Sequence, residues 1–169
     1  MKTLLSILLL ATAPALALAS GDHAGDHHKH GEKAHHAHGD HGDHHESPVG
    51  RPGDRTKVTR TIRVSMADTM RFDPADMSFQ KGETVRFVVS NQGKIRHEMV
   101  LGTLDELKEH MAMMRKNPDM QHQDPNMISL APGESGEMIW QFTRPGSFDF
   151  ACLIPGHMEA GMTGKITVR

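Results

Sequence analysis

Beyond residue 57 the apolar positions come in short alternating runs. Ile62 and Val64, then Val85, Phe87 and Val89, then Ile166 and Val168 sit two apart, the period of a strand with one face buried. The pattern predicts strands over Val58–Ser65, Thr84–Ser90, Ile95–Leu101, Glu137–Phe142, Gly146–Ala151 and Thr163–Val168. Turn residues punctuate them at Lys81-Gly82-Glu83, Asn91-Gln92-Gly93, Ala131-Pro132-Gly133 and Arg144-Pro145-Gly146, where glycine and proline supply the dihedrals a reversal needs. Short strands at this spacing make an all-β sandwich.

One stretch departs from the period. Leu104 to Lys116 is rich in helix formers; Thr103 is placed to cap it, with Glu106 three residues on as the reciprocal partner, and Pro118 follows the expected end. A helix is therefore expected between strands, running into an irregular methionine- and histidine-bearing loop as far as Met127.

Upstream of residue 57 the pattern is lost. Lys2, the apolar run Leu4–Leu10 and the small residues of Ala17-Leu18-Ala19 read as a signal peptide over residues 1–19, which implies export to the periplasm. The apolar run is too short to span a membrane, and no later segment is longer. Of the 14 histidines, ten follow in the next stretch: His23, His27, His28, His30, His35, His36, His38, His41, His44 and His45. Its apolar residues are alanines alone, so it cannot bury enough surface to offset its ordering entropy and is expected to be a disordered tail. Pro48, Gly50, Pro52 and Gly53 read as a linker, completing a region 20–56, and the foldable domain is residues 57–169. That length holds one hydrophobic core.

Composition adds the chemistry. With 19 basic and 21 acidic residues there is no electrostatic basis for nucleic-acid binding. The chain has 13 methionines, a single cysteine and no tyrosine, and histidine and methionine are both metal ligands. The lone Cys152 lies in Cys152-Leu-Ile-Pro-Gly-His157-Met-Glu-Ala-Gly-Met162, so thiolate, imidazole and thioether recur within one tight loop. Soft sulfur with imidazole suits copper, and His97 is the candidate fourth ligand. By alternation His97 shares a face with Ile95, Met99 and Leu101; a histidine there is more often a core residue, and it gains meaning only beside the other three. Zinc tolerates Cys and two His but has no use for a thioether. A cysteine nucleophile needs an oxyanion site that nothing here supplies. Met158 is the competing axial donor, although it follows His157 directly.

An isolated upstream histidine joined to a C-terminal Cys-x4-His-x4-Met resembles the cupredoxin family of type 1 copper proteins, as do Phe72-Asp-Pro and Gln80-Lys-Gly-Glu-Thr-Val-Arg-Phe, which look like the first strands of that fold. The resemblance covers the domain from about Thr59 to Arg169. It implies a Greek-key β-sandwich and a type 1 copper held by His97, Cys152, His157 and Met162. One position departs: plastocyanin- and azurin-like members commonly follow the first ligand histidine with asparagine, and this chain has Glu98, so the hydrogen bonding around the copper is expected to differ.

Two further regions carry soft and hard donors. His110, Met111, Met113, Met114, Met120, His122 and Met127 form a candidate Cu(I) region, since thioethers without thiolate suit Cu(I). Helical spacing groups His110 with Met113 and Met114, and Met111 with Met114; such stripes are more often core. The tail histidines are expected to take Cu(II) or similar ions, so additional copper ions are implied. Two functions fit. One is periplasmic copper tolerance, in which copper is sequestered and Cu(I) oxidised to Cu(II) through the type 1 centre, a weak enzymatic activity. The other is one-electron transfer between respiratory partners, which needs a redox partner protein and leaves the tail and insert without a role.

Overall fold

A computed structural model describes residues 47–116 and 123–169. In chain order these form β1 (Arg51–Pro52), β2 (Arg60–Ala67), β3 (Arg71–Asp73), β4 (Asp76–Phe79), β5 (Thr84–Asn91), β6 (His97–Gly102), helix α1 (Leu104–Lys116), β7 (Met127–Leu130), β8 (Ser135–Gln141), β9 (Gly146–Ala151) and β10 (Thr163–Val168). They assemble into two five-stranded sheets, ordered β1-β8-β5-β2-β3 and β4-β10-β9-β6-β7. Two pairs, β2 with β5 and β4 with β10, are parallel, because the chain crosses from one sheet to the other between neighbours. The all-β sandwich with one inserted helix is the architecture the alternation implies.

The core explains how so few aromatic residues suffice. All six phenylalanines and the single tryptophan are buried, and they meet between the sheets. Phe79 stacks on Phe142 with ring centroids 4.6 Å apart, and Phe72 meets Phe150 edge-on at 4.9 Å. Each buried ring contributes about 1.5–3 kcal/mol by removal from water, with about 0.5–1.5 kcal/mol more for a well-placed pair.

Several boundaries differ from the sequence reading. β2 runs Arg60–Ala67, two residues later than the alternation indicates, and β8 starts at Ser135. The short strands β3, β4 and β7 have too few residues to show a period; β7 occupies Met127–Leu130, where an irregular loop was expected to end. β6 begins at His97, so Ile95 lies in the preceding loop and is 44% exposed. Its face of the strand is His97, Met99 and Leu101, all fully buried.

The stretch read as a linker is also folded. Pro52 pairs with Trp140 and Arg51 with Gln141, Val49 is fully buried, and the Trp140 indole N–H donates to the Val49 carbonyl at 3.4 Å. An edge of β8 left open by β5 supplies the hydrogen bonds that draw this segment in.

Helix α1 is capped as its sequence indicates. The Thr103 N–H and hydroxyl both reach Glu106 Oε2, at 2.7 and 2.9 Å, and the Glu106 N–H donates to the Thr103 hydroxyl at 3.3 Å. The helix covers the outer face of β6 and β9. Leu107 packs there with Val100, Ala151 and Leu153, and Met111, Met127 and Met158 lie against this small cluster. Val100 falls on the face opposite Met99 and Leu101, so the helix and the inter-sheet core share β6 without sharing side chains. No helix among the described residues is long and apolar enough to cross a membrane.

Candidate metal centre

Strand register brings the distant residues together. β6 and β9 pair antiparallel with Val100 opposite Ala151, so Cys152, one residue past β9, falls beside the start of β6. The Glu98 backbone N–H donates to the Cys152 sulfur at 3.4 Å. β9 and β10 pair with Ala151 opposite Thr163, which sets Cys152 opposite Met162. The loop between them closes on itself: the Cys152 N–H donates to the Met162 carbonyl at 3.1 Å, and the Met162 N–H to the His157 carbonyl at 3.0 Å. Arg71 pins its far side by donating to the Ala160 carbonyl at 3.0 Å.

His97, Cys152 and His157 converge with their donor atoms all within 4.8 Å of one another. Cys152 Sγ lies 3.2 Å from His157 Nδ1, and the two imidazole rings are 5.0 Å apart at 54°. His97 and Cys152 are fully buried, and His157 is 9% exposed. Met162 is fully buried in the same core cluster as Cys152. Among the described residues no other group of three or more His, Cys, Asp or Glu side chains converges in this way.

The donor set fits a soft-to-borderline metal ion on a specific observation. His97 Nδ1 is buried with no hydrogen-bond partner. An orphaned imidazole nitrogen in a core costs about 1–3 kcal/mol, and the His97 ring that carries it is grouped with a thiol and a second imidazole. A metal at that point satisfies it. Burial pushes the Cys152 thiol up to about 11; the amides of Glu98 and Ile154 oppose this and the Glu98 carboxylate adds to it. His157 is held below the usual imidazole range by burial and then by the neighbouring His97. Metal-free, the pocket therefore holds a neutral thiol beside the neutral His157 imidazole, and an entering cation must displace the thiol proton.

Three residues outside the sequence reading organise the site. Asp68, in the turn after β2, places Oδ1 3.0 Å from His97 Nε2, while its Oδ2 accepts the Lys94 N–H at 2.8 Å. These contacts, the Lys94 amide first and then His97, hold its carboxyl below the usual range. Asn91, 2% exposed, donates to the carbonyls of Ile95 at 2.8 Å and Leu130 at 3.0 Å and accepts the Gly93 N–H at 2.8 Å, fixing the loop that delivers His97. Arg71 is the third. None belongs to a periodic pattern or a motif; Asn91-Gln-Gly93 reads simply as a turn.

The other candidates separate. Met111 is half-buried against the Leu107 cluster, whereas Met113 is 42% exposed, so the two sit on different sides of α1. His110 and Met114 are half-buried, and Met127 opens β7 in contact with the same cluster as Met111. Arg115 of α1 pairs with Glu159 of the loop between β9 and β10. Met120, His122 and the tail histidines His23 to His45 lie outside the described residues.

A sandwich of this topology with a buried His–Cys–His group at one end defines the cupredoxin class. Residues 57–169 match the model of the copper-binding proteins of the plastocyanin/azurin family, and the chain belongs to that family. The solved structure of auracyanin B is similar, with a TM-score of 0.56 and 27% identity over 66% of this chain and 90% of that one. Among characterised relatives, the copper-resistant cuproprotein CopI of Rubrivivax gelatinosus is 54% identical over 98% of this chain and 94% of its own. CopI of Vibrio cholerae is 35% identical over 98% and 97%.

Proposed function

We propose that this chain is a periplasmic copper-tolerance protein that binds and sequesters copper and carries a type 1 centre formed by His97, Cys152, His157 and Met162. The observation that carries the reading is the 54% identity to a copper-resistant cuproprotein over 98% of the chain, a span that includes the histidine-bearing N-terminal region as well as the sandwich. Two imidazoles and a thiolate with a weak thioether are the type 1 donor set. Copper so held supplies a one-electron couple.

The chain's own residues do the rest. His97 leads β6, Cys152 follows β9 and Met162 precedes β10, so strands paired in one sheet hold three donors in a fixed relation. The Glu98 amide stabilises negative charge on the sulfur, and of the four residues only His157 keeps any exposure to solvent. Histidine nitrogens of the tail suit Cu(II) as cargo and the thioethers of the insert suit Cu(I). Oxidation of cargo extends this reading: one electron leaves Cu(I), enters at the His157 edge and passes on to a redox partner protein, leaving Cu(II) for the tail.

Copper stoichiometry tests it. Titration of the exported chain, followed by visible absorption and EPR, is expected to count several copper ions, one of them type 1. A single ion per chain would favour an electron shuttle instead. In the host, deleting residues 23–45, or changing Met111, Met113 and Met114 to Leu, is expected to raise copper sensitivity; unchanged growth of both strains under copper stress would sink the tolerance reading.

A further inference from the structure

We propose that Asp68 is a positioning residue for His97, and that its carboxylate biases the copper centre toward the Cu(II) state. The proposal rests on His97 being a copper ligand and goes on to assign what holds it. His97 is fully buried, its Nδ1 is without a partner and its Nε2 lies 3.0 Å from Asp68 Oδ1. An ionised carboxylate accepts only, so the ring proton sits on Nε2 and the lone pair on Nδ1 points into the site. The second carboxylate oxygen is occupied by the Lys94 N–H at 2.8 Å, which prevents the side chain from swinging away.

The approach is built into the backbone. A Cβ at Gly93 would lie 2.0 Å from Asp68 Oδ1 and 3.1 Å from His97 Nε2, so only glycine leaves room for this contact. It also joins the two sheets, because Asp68 follows β2 of one and His97 opens β6 of the other. An exposed carboxylate–imidazole pair contributes little in water. Here the carboxylate is 39% exposed but its partner ring is not exposed at all, and the negative charge reaches the metal through the ring. A carboxylate on the outer nitrogen makes the imidazole a stronger donor, and the additional positive charge of Cu(II) gains more from this than Cu(I) does.

Competition titrations of both oxidation states in the full exported chain test this. Asp68→Asn and Asp68→Ala are expected to weaken Cu(II) relative to Cu(I) by about tenfold, the low end for loss of such a partner, equivalent to a rise of about 59 mV in a one-electron potential. Asp68→Glu is expected to recover part of the shift. Gly93→Ala, which leaves Asp68 in the chain but displaces its carboxylate, is expected to reproduce it. A native protein that binds copper while every folded variant keeps the Cu(II)/Cu(I) ratio within about twofold of native overturns the proposal; a native protein that binds no copper overturns the function reading instead. NMR of the native Cu(I) form needs no variant: a slowly exchanging, downfield Nε2–H of His97 is expected, and its absence also overturns the proposal.

Discussion

The backbone N–H of Glu98 points at the sulfur of Cys152 from 3.4 Å, across 54 positions of sequence. The side chain that departs from the usual asparagine is therefore not what makes this contact with the sulfur; the amide does, and any residue but proline supplies it. The Glu98 carboxylate acts instead through its charge, which raises the Cys152 thiol alongside burial. Glu98→Gln is expected to keep the amide–sulfur contact and to lower the thiol's titration midpoint from about 11. The pH dependence of alkylation of the metal-free protein in mild denaturant-free buffer measures it, and an unmoved or raised midpoint would contradict the charge effect.

The same thiol makes the metal-free fold sensitive to alkali. Its folded value of about 11 lies above the ordinary 9.0, so above pH 9 the unfolded chain releases the proton while the folded chain retains it. The folded state then binds more protons, and stability falls as pH rises from about 9 to about 11, by roughly 2–3 kcal/mol in all. Urea unfolding at steps across that range is expected to show this loss in the native chain and its absence in Cys152→Ser.

Asn91→Ala is expected to cost about 2–3 kcal/mol, because two carbonyls and one amide in and around the loop before His97 lose their partner. Thermal unfolding of the metal-free protein reads the stability. Copper affinity is expected to fall with it, since that loop sets the start of β6.

Met111 packs as core against Leu107, whereas Met113 is exposed. Replacing Met111, Met113 and Met114 by Leu together conserves volume and is expected to change stability by less than about 1.5 kcal/mol, while reducing the number of Cu(I) or Ag(I) ions bound. Leu107→Ala separates the two roles: it is expected to cost about 2–5 kcal/mol and to loosen the helix amides in hydrogen exchange, with every thioether still present.

Much of this was legible along the chain. Long alternating runs such as Val85–Val89 and the Thr103/Glu106 box predicted β5 and α1 because local geometry alone decides them. Strands of three or four residues, such as β3 and β7, left no signal, since pairing with a neighbour and not their own period makes them extended. The segment around Val49 and Pro52 was misread for a related reason: proline and glycine mark a turn-rich stretch but do not reveal that an open edge of β8 is waiting for it.

The sequence by itself determined the chemistry of the site. One cysteine with His157 in a Pro-Gly loop offers few alternatives, because so short a loop can bring the two side chains together locally, here to 3.2 Å. Only the tertiary structure decided what surrounds them. The register of β6 against β9 aims the Glu98 amide at the sulfur, and the juxtaposition of Asp68 with His97 joins two sheets. Both are contacts between segments far apart in sequence, made by a backbone amide and an unremarkable aspartate whose residue types carry no mark of what they will meet.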